Sequence, residues 1–181
     1  MSSHLQLVRL ALGCAAAAVV TASTAIASFS GGMMQSPLAG QAVTSTRHLT
    51  IATSSTPAAA KPGQRVVLNV DVALKPKMHV YAPDQPKEQD YMPIALTVET
   101  AEGFTLEKPR YPASEKLFFA PLKETQHVYS KSFRITQPIV VTRAAAEPLT
   151  ITGTVRYQAC DDAICYLPQT VKVKWEITNN R

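Results

Sequence analysis

Two cysteines near the end of the chain are the residues best suited to do chemistry. Cys160 and Cys165 are separated by four residues, and the one other cysteine of the 181-residue chain is Cys14. If the chain is exported, Cys14 lies in a segment that would be removed, and Cys160 and Cys165 have only each other to pair with. Such a pair can be a permanent structural staple, a reversible redox centre or, with further ligands, part of a metal site.

The first 27 residues have the features of an export signal. Arg9 gives a weakly positive start, an apolar run covers residues 10–20, and residues 25–27 form a small-residue cleavage site. The apolar run continues past Cys14, where a lipid-modified cysteine would be expected to close it. We therefore expect a cleaved signal peptide over residues 1–27 and no lipid anchor at Cys14.

Charge and length set limits on what remains after cleavage. Loss of Arg9 leaves 17 basic and 13 acidic side chains, a net charge of +4, and these charges are interspersed along the chain. This pattern indicates ordinary solubility and gives no support to a nucleic-acid surface. Residues 28–46 are small, polar and unpatterned, which predicts a flexible tether. Residues 47–181 are enough for one domain.

The hydrophobic pattern of this domain repeats every second residue, which is typical of strands with one buried face. Frequent prolines between the repeats exclude long helices and separate short strands. One-faced strands need a second sheet to cover them, so we predict an all-β, immunoglobulin-like sandwich of two antiparallel sheets with seven to nine strands. The alternating apolar positions are Val66, Leu68, Val70, Val72 and Leu74; Ile94, Leu96 and Val98; Leu149, Ile151, Val155 and Tyr157; and Val171, Val173, Trp175 and Ile177.

The cysteine pair lies between two of these predicted strands, residues 149–158 and 169–177, at or near the tip of a hairpin. The apolar faces of both strands occupy odd positions, so directly opposed residues should have numbers that sum to an even value. Cys160 and Cys165 sum to an odd value, which requires a bulge or break in the ladder. Proline cannot donate to a ladder, so irregular backbone is expected at Leu167 and Pro168.

The short loop and the acidic neighbours of the pair favour a reversible disulfide. A disulfide that closes six residues stabilises the fold by only about 2 kcal/mol, and a short, exposed, irregular loop suits exchange. Asp161 and Asp162 should raise the thiol pKa values, which makes the pair a better target than attacking nucleophile. Two alternatives remain for the pair: a permanent structural disulfide, and a metal site with His79, His48, His127 or methionines as further ligands.

Three stretches resemble the amino-terminal periplasmic domain of the DsbD protein-disulfide reductase family. Residues 157–168 (Tyr-Gln-Ala-Cys-Asp-Asp-Ala-Ile-Cys-Tyr-Leu-Pro) are similar to its cysteine motif, residues 78–83 to a short aromatic strand, and residues 108–129 to a segment that carries a cap loop. The resemblance implies an immunoglobulin-like periplasmic domain without a cofactor. It further implies the transfer of reducing equivalents to thioredoxin-like proteins through mixed disulfides, in processes such as cytochrome c biogenesis.

The resemblance also implies roles for individual residues. Cys160 and Cys165 would be the redox pair, with Cys165 joining the partner in the mixed disulfide. Around them it implies a cap of Leu117, Phe118 and Phe119 and a lining of His79, Tyr81 and Tyr157. The modulating role of Asp161 and Asp162 rests on their charge beside Cys160.

The chain departs from the family in three ways. Four residues separate its cysteines where some members have five, its cap region is longer, and it lacks the family's membrane-spanning electron carrier and carboxy-terminal thioredoxin-like domain. We therefore expect a freestanding, monomeric component of a thiol:disulfide oxidoreductase system, supplied by a separate membrane electron carrier. The alternative is a non-catalytic secreted β-sandwich, a binding or adaptor domain with a permanent disulfide.

Overall fold

The computed structural model describes residues 42–86, 91–143 and 147–179, and these residues form strands, turns and irregular segments without a helix. None of them forms a helix that could cross a membrane. The strands are β1 (Ala42–Ser45), β2 (Leu49–Thr56), β3 (Ala59–Ala60), β4 (Arg65–Leu74), β5 (His79–Tyr81), β6 (Ala95–Val98), β7 (Phe104–Leu106), β8 (Glu115–Phe119), β9 (Glu124–Tyr129), β10 (Phe133–Val141), β11 (Leu149–Tyr157), β12 (Ala159–Cys160) and β13 (Gln169–Asn179).

The strands form three hydrogen-bonded sheets. The first has the order β1-β2-β4-β10-β7, the second β3-β13-β11-β6, and the third β12-β5-β9-β8. The first two pack against each other, which confirms the predicted immunoglobulin-like sandwich. The structure adds the small third sheet and one parallel pair, β3 with β13. The strands outnumber the seven to nine predicted because several have only two to four residues and carry no readable alternation.

The sandwich core is built by the alternation seen in the sequence. The apolar face of β4 is fully buried at Val66, Leu68 and Val70, as expected for a strand that turns one face to a second sheet. Trp175 of β13 is 1% exposed, and its indole Nε1–H donates to the Asn69 carbonyl oxygen of β4 at 3.0 Å. This bond joins the two sheets through the core.

The amino-terminal boundary differs from the prediction. The tether was expected to extend to residue 46, whereas Ala42–Ser45 forms β1 at the edge of the first sheet, paired with β2 from Ala42↔Thr53 to Ser45↔Thr50. The side chains of β1 are mostly exposed, so the strand is held in the sheet by backbone hydrogen bonds. Its sequence therefore has no hydrophobic pattern from which a strand could be predicted. The predicted signal peptide, Cys14 and residues 28–41 of the tether lie outside the described residues.

Candidate redox site

The third sheet has two faces with different surroundings. On β5, β9 and β12, the side chains of Val80, Tyr129 and Ala159 face the sandwich and belong to its core. The alternate residues Tyr81, Val128 and Cys160 form a second buried cluster. Leu117, Cys165 and Tyr91 pack against this second cluster, which we call the site cluster. The period of two along each strand thus places the cysteines in an apolar environment of their own.

Cys160 and Cys165 form a disulfide, with Cα atoms 4.0 Å apart. The β11–β13 ladder keeps its regular register to Tyr157↔Gln169 and ends there. Cys160 instead pairs with His79 of β5 and forms a single bridge with Cys165. The break in register and the irregular backbone around Pro168 are therefore confirmed.

The two cysteines are not equally buried. Cys160 is 0% exposed, whereas Cys165 is only partly buried. The expectation of an exposed loop is therefore wrong for Cys160, because the residue leaves the hairpin and enters the third sheet as part of β12. Cys165 is therefore the more exposed of the two bonded residues.

Asp161 organises the loop between the cysteines. Its Oδ1 accepts hydrogen bonds from the backbone N–H groups of Ala163 at 2.8 Å and Ile164 at 2.9 Å, and its Oδ2 accepts from the Tyr166 hydroxyl at 2.7 Å. These bonds, led by that from Ile164, lower the pKa of Asp161 to about 2. The carboxylate is thus ionised and fixed beside Cys160, whereas Asp162 is exposed to solvent.

Tyr81 contacts the accessible sulfur directly. Its hydroxyl lies 3.1 Å from Cys165 Sγ and is the donor, because a disulfide sulfur carries no proton. Burial raises the pKa of Tyr81 to about 12, so the hydroxyl keeps its proton at neutral pH. Tyr91 stacks on the Tyr81 ring with centroids 4.4 Å apart and donates its own hydroxyl proton to Glu124.

His79 lies directly across from the buried sulfur. It is the antiparallel partner of Cys160, is 3% exposed, and its Nε2 has no hydrogen-bond partner. The ring of Phe119 contacts it edge-on with centroids 6.3 Å apart. Burial lowers the pKa of His79 against the opposing effect of Asp162 and Asp161, so the imidazole is neutral at pH 7.

The predicted cap divides into two parts. Leu117 packs against the site cluster that contains Cys160, whereas Phe119 contacts the ring of His79, the strand partner of Cys160. Phe118 is 63% exposed and lies on the other face of β8, because adjacent residues of a strand point to opposite sides. The structure therefore does not place Phe118 over the pair.

Tyr157 is not part of the site lining. It is fully buried in the sandwich core, where its hydroxyl donates to Gln169 Oε1 at 2.8 Å and lies 2.9 Å from Thr46 Oγ1. Its odd position in β11 puts it on the core face with Val155. The sequence pattern already placed Tyr157 there, and the resemblance assigned it to the lining.

Sequence reasoning assigned no role to three residues that shape the site. Tyr91 follows a proline-rich stretch without periodicity, and Gln126 is a fully buried polar residue on β9 whose Nε2–H donates to the Tyr91 hydroxyl at 3.3 Å. Tyr166 bonds Asp161 and packs on the buried His48 ring with centroids 4.5 Å apart. For Tyr166, its position beside Cys165 was the available signal.

The metal alternative needs further ligand side chains close to the cysteines, and the described residues are the ones that bear on it. Among those residues, no three His, Cys, Asp or Glu side chains cluster so that they could hold a metal ion.

A β-sandwich that holds a disulfide in a separate apolar cluster, with one cysteine partly exposed, is compatible with thiol–disulfide exchange. The chain belongs to the family described as thiol:disulfide interchange protein DsbD, N-terminal, whose model matches residues 48–176. No curated protein sequence matches the chain.

A solved periplasmic domain has a similar fold. The N-terminal periplasmic domain of ScsB from Proteus mirabilis is similar with a TM-score of 0.54 and 10% identity, over 77% of this chain and 51% of that one. The chain thus spans about half the length of that structure.

Two structures from Neisseria meningitidis are also similar. The reduced DsbD N-terminal domain has a TM-score of 0.40 and 22% identity, over 67% of this chain and 81% of that one. The complex of the DsbD and PilB N-terminal domains has a TM-score of 0.40 and 19% identity, over 63% and 76%.

Proposed function

We propose that the chain is a periplasmic thiol:disulfide interchange module that relays reducing equivalents through reversible oxidation of Cys160 and Cys165. The observation that carries the proposal is the unequal burial of the two cysteines, with Cys160 fully buried and Cys165 partly exposed. A permanent staple needs no such asymmetry, whereas an exchange reaction needs one sulfur to meet a partner and one to close the bond. Membership of the thiol:disulfide interchange family supports the same conclusion.

The exchange is a pair of sulfur displacements. When the oxidised pair accepts electrons, a partner thiolate attacks Cys165 Sγ, the Cys160–Cys165 bond breaks, and Cys160 leaves with the electron pair and gains a proton. A second partner thiolate then displaces Cys165 and closes the partner's own disulfide. When the reduced pair donates electrons, the same steps run in reverse and the partner leaves as a dithiol.

Tyr81 assists the step at Cys165. Its hydroxyl donates to this sulfur in the disulfide at 3.1 Å, and the same donor stabilises the negative charge on Cys165 when the second partner thiolate displaces it from the mixed disulfide. Because its pKa is raised to about 12, Tyr81 retains its proton in the presence of a thiolate. Asp161 acts in the opposite sense, since its fixed carboxylate disfavours a thiolate at the neighbouring Cys160.

The proposed partners are thioredoxin-like periplasmic proteins, with electrons supplied by a separate membrane carrier. The complex of the Neisseria DsbD and PilB N-terminal domains supports a protein partner for the domain. Export to the periplasm through the segment at residues 1–27 belongs to the same proposal, and the periplasmic ScsB domain supports that location.

Trapping of the mixed disulfide tests this function. A Cys160→Ala chain is incubated with a thioredoxin-like protein whose disulfide is intact, and the expected result is a covalent adduct through Cys165 that dithiothreitol releases. A Cys165→Ala chain is the matched control and should form far less adduct, because Cys160 is buried. Absence of an adduct with every thioredoxin-like protein tried would contradict the proposal.

A further inference from the structure

In the proposed exchange, the thiol proton of Cys160 needs a group that accepts it. Cys160 is 0% exposed, so bulk water does not reach its sulfur in this structure. In the reduced state Cys160 is a thiol beside the ionised Asp161, and only the thiolate attacks a disulfide. A buried group must therefore take the proton when Cys160 closes the bond.

His79 is placed to take that proton. It is the direct antiparallel partner of Cys160, so the two side chains project from the same face of the third sheet. Opposed Cβ atoms in such a pair are about 4.5–5.5 Å apart, and an imidazole nitrogen can span that gap to a sulfur.

The imidazole has an unused nitrogen in this enclosed space. His79 is 3% exposed, its Nε2 has no hydrogen-bond partner, and Phe119 covers the ring from β8. A buried polar atom without a hydrogen-bond partner lowers the stability of a fold by about 1–3 kcal/mol, so the unpaired Nε2 of His79 requires an explanation. A thiol at Cys160 supplies the missing donor once the disulfide is open.

We propose that His79 is the general base for Cys160. The inference rests on the proposed function, because it concerns the step in which the mixed disulfide on Cys165 is resolved. In that step the Cys160 S–H proton passes to a neutral imidazole nitrogen of His79, and Cys160 Sγ attacks Cys165 Sγ. The bond between Cys165 and the partner sulfur breaks, and the partner leaves with the electron pair. The imidazolium then returns its proton to the partner thiolate or to water, and His79 is neutral again.

The electrostatic surroundings suit a base that is uncharged before the reaction. The effects on the pKa of His79 are burial, which lowers it, then Asp162 and Asp161 of the cysteine loop, which raise it. The two aspartates also stabilise the imidazolium formed in the step. The apolar Phe119 contacts the ring from β8. The other titratable groups on the strands of this sheet are Cys160 and Tyr81, with Glu115 and Lys116 on β8 and Glu124, His127 and Tyr129 on β9.

The two displacement steps can be observed separately with dithiodipyridine, an aromatic disulfide that releases coloured thiopyridone. In a reduced chain carrying Cys14→Ser, the accessible Cys165 attacks the probe first and releases one thiopyridone. Cys160 then attacks the mixed disulfide and releases the second, in a phase whose rate is independent of probe concentration. The variants are His79→Gln and His79→Phe, and the control is His127→Gln, a histidine of the same sheet whose Nδ1 bonds Asp84.

We expect the second phase to be slowed about a hundredfold in both His79 variants at neutral pH, because general bases contribute about that much. The first phase and the His127→Gln control should be unchanged. A second phase of wild-type rate in either His79 variant would overturn the inference while leaving the proposed function intact. A wild-type chain that never releases the second thiopyridone would overturn the proposed function and this inference with it.

The pH dependence of the second thiopyridone release in the chain with His79 intact tests the same inference and does not depend on the folding of a His79 variant. With His79 as base, the rate rises through the lowered pKa of the imidazole and is then constant until the pKa of the thiol is reached. Without a base, the rate follows the thiolate fraction and rises about tenfold per pH unit over the same interval. A profile of the second kind would contradict the role of His79.

Discussion

At Cys165 the structure places a hydroxyl donor on the sulfur that a partner must reach. Tyr81 is held in position by the stacked ring of Tyr91, which is itself bonded to Glu124. At Cys160, the neighbours are the Asp161 carboxylate and the neutral imidazole of His79. The two sulfurs of one bond therefore experience opposite environments, and single substitutions can separate their effects.

Replacement of Tyr81 by Phe should make Cys165 a weaker nucleophile. Loss of a hydrogen bond to a charged group is expected to raise the pKa of the Cys165 thiol by about 1. The pH dependence of iodoacetamide alkylation of the reduced chain measures this pKa. Tyr129→Phe is the control, since that hydroxyl donates to the Pro112 carbonyl at 2.8 Å on the other face of the sheet. Equal alkylation profiles for wild type and Tyr81→Phe would refute the assigned contact.

Asp161 gives stability that depends on pH. Its folded pKa of about 2 lies below the ordinary value of 3.8, so its contribution is present above the ordinary value and is lost as the pH falls through about 2. Wild type should thus lose stability between about pH 4 and pH 2 more steeply than Asp161→Asn, which cannot titrate there. Urea unfolding across this interval measures the difference in the free energy of unfolding. Parallel plots of this free energy against pH for the two chains would be inconsistent with a hydrogen-bonded Asp161 carboxylate.

At the scale of elements, strand alternation explains both what the sequence predicted and what it did not. The runs at β4, β6, β11 and β13 were visible because one face of each is buried in a sandwich. β5 has only three residues and all are buried, so alternation could not show that Val80 faces the core and His79 and Tyr81 face the cysteines. The partners of such a short strand are set by long-range pairing, which one sequence does not encode locally.

The cap assignment failed for Phe118 for a related reason. Leu117, Phe118 and Phe119 are consecutive, and a strand can turn only the outer two toward the same face. The motif suggested a loop, in which all three could face the pair, whereas β8 is a regular strand paired with β9.

The two halves of the predicted cap should therefore differ in function. Leu117→Ala opens the site cluster beside Cys165, and reduction of the disulfide by dithiothreitol should be about fivefold faster. Phe118→Ala is the matched control on the opposite face and should leave the reduction rate unchanged. The reverse order of the two rates would show that the cap lies elsewhere.

The close contact between β11 and β6 depends on a residue without a side chain. A Cβ at Gly153 would lie 2.5 Å from the Thr97 carbonyl oxygen, which belongs to the backbone of the adjacent strand. Gly153→Ala should lower the free energy of unfolding by about 1–3 kcal/mol, because β6 would have to move. Urea denaturation measures the loss, with the exposed Thr150→Ala in the same strand as control. A stability equal to wild type would contradict the tight strand pairing.

At the scale of the whole molecule, the core of the sandwich and the site cluster are separate groups of buried residues. The disulfide belongs to the smaller one, and it closes a loop of six residues. Breaking it should therefore leave the sandwich folded, with Trp175 still in its core. This arrangement suits the proposed cycling between oxidised and reduced states, which requires the fold to survive the opening of the bond.

This separation predicts a small effect of reduction on stability. The chain-entropy model gives a loss of about 2 kcal/mol in the free energy of unfolding for a bond that closes so short a loop. Urea denaturation of the oxidised and reduced chains, followed by Trp175 fluorescence, measures the difference. Collapse of the fold on reduction would show that the disulfide is a structural staple.

The reduction potential of the Cys160–Cys165 bond tests the central claim most directly. It is measured at neutral pH by equilibrating the chain in dithiothreitol buffers of graded composition and counting the free thiols. A reversible relay requires a potential well above about −300 mV, where exchange with thioredoxin-like proteins is in range. A potential below about −300 mV, the range of structural disulfides, would contradict the account.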